Sequence, residues 1–69
     1  MSEKQQFYAR YKVEEGFQMQ ARFDDINDRD GFEISLGMYR PNLGPVTEEV
    51  FRRYAQRFNG VVMEPEPHE

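Results

Sequence analysis

Apolar and polar residues alternate over positions 7–13, FYARYKV: Phe7, Ala9, Tyr11 and Val13 fall on one side, Tyr8, Arg10 and Lys12 on the other. Period two predicts a half-buried β-strand. Positions 17–23, FQMQARF, repeat the pattern, with Phe17, Met19, Ala21 and Phe23 opposing Gln18, Gln20 and Arg22. Glu14-Glu15-Gly16 between the runs is short and contains glycine, which predicts a hairpin. A third alternation covers 31–39, where Phe32, Ile34, Leu36 and Met38 oppose Glu33, Ser35, Gly37 and Tyr39. Three such runs predict an antiparallel meander with one apolar face.

The period changes after RPNLGPV, 40–46, whose two prolines and glycine predict an irregular connection. Over 47–59 the residues Val50, Phe51, Tyr54, Ala55 and Phe58 share one helical stripe, with charged and amide side chains around the rest. Thr47 suits the N-cap, Glu48 and Glu49 the first turn, and Val46 can pack on Phe51 as a hydrophobic staple. Asn59-Gly60 supplies the stop. Val61-Val62-Met63 is long enough for a short fourth strand. The expected fold is α+β: a three-stranded meander (7–13, 17–23, 31–39) covered by one C-terminal helix (47–59), with a possible strand at 61–63. Residues 1–63 form the single expected domain, and the proline-rich acidic run 64–69 reads as a disordered tail.

Size makes packing the central problem. A chain of 69 residues is near the limit at which one core suffices, and without cysteine it has no disulfide to add. Six Phe and four Tyr are the available compensation. Homodimerisation by pairing of open strand edges is the other, and is expected. No apolar run reaches membrane-spanning length and MSEKQQ has no secretory layout, so the expected location is cytoplasmic with no membrane partner. The net charge of −4 is uneven, since Glu64, Glu66 and Glu69 supply most of it and the body is close to neutral.

Candidate chemistry is sparse. The run DDINDRDG, 24–31, is acidic enough to test as a calcium loop, whose ligands recur at positions one, three, five and twelve with glycine at six. Placing Gly31 at six puts Ile26 at one and Gly37 at twelve, and starting at Asp25 puts Arg29 at five and Leu36 at twelve. Both registers fail. The run is expected to be the polar loop between the second and third strands, with Gly31 permitting positive φ. The one histidine, His68, stands at the end of the tail, so no nucleophile and base can be held together. No catalytic residue, cofactor or metal ligand is assigned, and the chain is read as non-enzymatic.

Binding surfaces remain. The outward sheet face would present Tyr8, Arg10, Lys12, Arg22 and Tyr39, with Glu33 in its middle. Aromatics among basic and amide side chains can stack single-stranded bases. A near-neutral body argues for a protein partner over nucleic acid, because phosphate neutralisation dominates nucleic-acid affinity. The stiff 40–46 connection could present Arg40 and Leu43, and the helix Arg53 and Arg57. Arg52 and Arg53 are each accounted for by a glutamate four residues earlier. The expected function is a small protein-binding module, a modulator or inhibitor of another protein. The rivals are a single-stranded nucleic-acid-binding module and a structural subunit of a larger assembly.

Overall fold

The computed structural model describes residues 5–63, and in it the first two alternating runs are strands: β1 (Phe7–Lys12) and β2 (Gln18–Phe23), antiparallel with Phe7 opposite Phe23 and Lys12 opposite Gln18. The hairpin between them turns on Gly16, whose φ of 103° is one that L side chains rarely adopt. Period two holds through both strands. Ala9, Val13, Met19, Ala21 and Phe23 are buried, while Tyr8, Arg10, Lys12 and Gln18 are exposed.

The third run is not a strand. Residues Ile26–Leu43 form an 18-residue helix, α1, so the expected meander ends after its second strand. Phe32 and Leu36 are buried four residues apart and Tyr39 is half-buried, the spacing of one helical stripe. Ile34 and Met38, expected in the core, are 62% and 59% exposed on the opposite side. The acidic run 24–31 is therefore no interstrand loop but the start of α1. Asp25 is its N-cap, accepting from the Asn27 backbone N–H at 2.7 Å, and Asp28 stands in the first turn, where the helix dipole favours a carboxylate. Gly31 carries no positive φ. The proline expected to end regular structure at 41 lies inside the last turn, whose carbonyls still find donors: Asn42 Nδ2 bonds the Met38 oxygen at 2.7 Å and Gly44 N–H the Arg40 oxygen at 3.3 Å.

Replacing Ile34 with lysine separates the helix from the strand by energetics. On the exposed side of α1 the change should alter unfolding free energy by no more than about 0.5 kcal/mol. An inward strand position would lose several kcal/mol by burying the ammonium. Urea unfolding measures the difference, and a loss above about 2 kcal/mol would speak for the strand.

The second helix, α2 (Glu48–Arg57), is where its stripe places it. Thr47 Oγ1 accepts from Val50 N–H at 3.3 Å, and Val46 and Phe51 are both buried, as a staple requires. Asn59 adopts φ 64° just past the helix. Val61–Met63 is strand β3, antiparallel to β2, which gives the sheet order β1-β2-β3. Architecture is thus α+β in two layers, with two helices rather than one on one face of a three-stranded antiparallel sheet. Between the layers Phe23 of β2, Phe32 of α1 and Phe51 of α2 stand in series, with ring centroids 5.1 Å apart at each step. The tail 64–69 lies outside the described residues.

Candidate functional site

The helices cover one side of the sheet and leave the other to solvent. Strand register fixes what that outer face carries. Tyr8, Arg22 and Val61 form one row across the three strands, Arg10, Gln20 and Met63 the next, and Lys12 stands beside Gln18. Of the residues expected to bind a partner, Tyr8, Arg10, Lys12 and Arg22 are thus brought onto one surface. Val61 and Met63 join them from β3, 51% and 37% exposed. Period two in a strand of known register would have identified both, but a three-residue run gives no alternation to read.

The electrostatics of this face differ from expectation. Glu33 is on α1, on the other layer, and not in the middle of the sheet surface. Within the strands the outer face carries three cations, Arg10, Lys12 and Arg22, and no carboxylate. The nearest acid at the β1–β2 open end, Asp24, accepts a hydrogen bond from Gln6 at 3.2 Å. Gln20 Nε2 reaches the Met63 sulfur at 3.4 Å, the single side-chain bond between strands on this face among the described residues. Among the described residues Arg10 and Lys12 form no ion pair, which leaves their charge available to a partner.

The remaining expected site residues lie elsewhere. Tyr39 does not extend the sheet face. It is half-buried on α1 and meets Tyr54 of α2 edge to face, centroids 5.5 Å apart. Arg57 lies over the Tyr54 ring at 5.1 Å from its centroid, a cation–π contact in the last turn of α2. Tyr39, Leu43, Tyr54 and Arg57 line a groove of about 280 Å³ between the helices. Arg53 pairs with Glu49 at 3.1 Å and Arg52 with Glu48 at 2.9 Å, the i,i+4 pairs read from sequence. Arg40 is on α1, not on a stiff loop, and lines a cleft together with Tyr11, Lys12, Glu14 and Pro45.

The two glutamates of the hairpin have structural work. Glu15, in the hairpin turn, accepts from the Glu48 backbone N–H at 3.0 Å, and Glu14 N–H donates to the Val46 oxygen at 2.8 Å. The two bonds pin the β1–β2 turn to the start of α2 and satisfy one of its free amides. Among the described residues no three His, Cys, Asp or Glu side chains converge to hold a metal ion, and no helix is long and apolar enough to cross a membrane. No family model matches the chain, no curated protein resembles it, and no solved structure matches its fold, so its function has to be argued from this surface.

Proposed function

We propose that the chain is a small non-enzymatic protein-binding module that modulates or inhibits a partner protein by covering an acidic surface with its outer sheet face. The observation that carries the reading is the uncovered face with three cations, no carboxylate in its strands, and Tyr8, Val61 and Met63 exposed among them. Apolar and aromatic contacts flanked by like charges suit a protein interface, in which charge steers and selects while buried apolar atoms supply affinity. The removal of Glu33 from this face also favours the second reading, binding of single-stranded nucleic acid, since Tyr8 can stack a base and the cations can meet phosphates. Three cations remain few for a phosphate-led affinity, which keeps the protein partner first.

Charge reversal tests it. The triple variant R10E/K12E/R22E should lose a stoichiometric, nuclease-resistant partner that the wild-type chain captures, with affinity down about a hundredfold at roughly 1 kcal/mol per reversed contact. Circular dichroism should show the fold retained. Capture that survives reversal would overturn the outer-face reading, and capture removed by nuclease, with affinity falling steeply as salt rises, would replace the protein with nucleic acid.

A further inference from the structure

The outer face offers backbone as well as side chains. Val13 N–H donates to the Phe17 oxygen at 3.0 Å, and antiparallel pairs alternate between those that exchange such bonds and those that do not. In this register Phe7, Ala9 and Tyr11 therefore bond to β2, while Tyr8, Arg10 and Lys12 turn their N–H and C=O groups to the open edge of the sheet. A separate contact agrees: Arg29 Nη1 of α1 donates to the Tyr8 carbonyl at 3.3 Å, which that oxygen can receive only if it faces away from β2. The edge is thus closed at Tyr8 by the Arg29 side chain and at Glu14 by the Val46 oxygen, and it is open between them at Arg10 and Lys12, where no described residue bonds to the backbone.

An open edge is a template for another strand. A second copy of β1 suits it poorly, because antiparallel self-pairing centred on Arg10 sets Arg10 against Arg10, and like charges directly opposed destabilise a pair. The other edge is shorter still. By the same alternation Val61 and Met63 bond to β2, leaving Val62 alone in β3 to face outward. An added strand beside β1 would place alternate side chains next to Arg10 and Lys12 on the outer face, and the others beside half-buried Phe7 and Tyr11 on the inner one. Carboxylates fit the first row and apolar groups the second.

We propose that the Arg10–Lys12 edge of β1 accepts, as an antiparallel fourth strand, an extended segment of a partner protein that alternates acidic and apolar residues. The proposal rests on the reading of the outer sheet face as the binding surface and adds the mode of engagement.

The probe is a capped peptide of about five residues, Val-Glu-Val-Glu-Val, short enough to pair between the closed positions at Tyr8 and Glu14 and still within the length range of strands. Its glutamates would lie opposite Arg10 and Lys12, with their N–H groups aimed at β1. A second peptide, N-methylated on those glutamates, keeps the charge and cannot donate. The first peptide should slow amide exchange at Arg10 and Lys12 at least about tenfold, and N-methylation should weaken binding by about tenfold or more, as loss of two or more net hydrogen bonds implies. Equal binding of the two peptides, or no binding of the first, overturns strand addition. Neither result touches the charge-reversal capture assay, which decides the outer-face reading separately.

Discussion

Replacing Phe32 with alanine should remove about half or more of the chain's folding stability. Phe32 is 1% exposed and is the middle ring of the series that joins the sheet to both helices: Phe23 lies 5.1 Å away at an interplanar angle of 43° and Phe51 5.1 Å away at 90°. Truncating a buried phenylalanine costs about 3–5 kcal/mol from lost transfer energy and the cavity left behind. At roughly 0.05–0.15 kcal/mol per residue, a chain of 69 residues has only about 3–10 kcal/mol in total. No disulfide limits the loss, since the chain has no cysteine. The expected signature by circular dichroism is a urea transition displaced by about 3–5 kcal/mol, while Phe17→Ala, at a position 39% exposed in the hairpin, leaves it close to wild type. A transition displaced by less than about 1 kcal/mol would mean that the three rings are not the core of this fold.

The same residue explains why α1 was hidden in the sequence. Phe32, Ile34, Leu36 and Met38 alternate as a strand does, yet Phe32 and Leu36 are also four apart, which a helix allows equally well. The ambiguity arises because α1 is apolar on two sides, one buried through Phe32 and Leu36, the other exposed through Ile34 and Met38. Gly31, Gly37 and Pro41 within it lower helix propensity and argued further for another reading. What could have marked the helix was the cap: Asp25, with Asp28 three residues on, is a start signal, but the density of acids around it suggested a turn. By contrast β1 and β2 have polar rows that exclude a helix, and α2 has both a cap and a single apolar stripe, so these elements were legible.

The candidate site follows the same division. Tyr8, Arg10, Lys12 and Arg22 were recognisable because strand alternation alone assigns them to one face. Tyr39 was misplaced with α1, and Val61 and Met63 were missed because membership of a sheet face depends on pairing that three residues do not encode. Glu33 moved with Tyr39, and with it went the one carboxylate expected on that face.

Gly60 yields the second large effect, and its cause is space rather than backbone conformation. The left-handed residue after α2 is Asn59, with φ 64°, and Gly60 shows no positive φ. A Cβ on Gly60 would instead run into the Phe23 ring at Cε2 and come within 2.7 Å of Cζ. Phe23 is 1% exposed and held against Phe32, so its ring has nowhere to go. Gly60→Ala should therefore destabilise by about 1–3 kcal/mol, the range of overpacked cores. Gly31→Ala is the control. There the added Cβ comes within 2.8 Å of Phe58, but that ring is half-buried and can shift, and alanine in a helix interior regains about 0.5–1 kcal/mol over glycine. Urea midpoints of the two variants should thus separate, Gly60→Ala well below wild type and Gly31→Ala close to it. If both variants fall together, close approach to Phe23 is not what reserves position 60 for glycine, and the docking of β3 beside β2 must depend on something other than the room that glycine leaves for that ring.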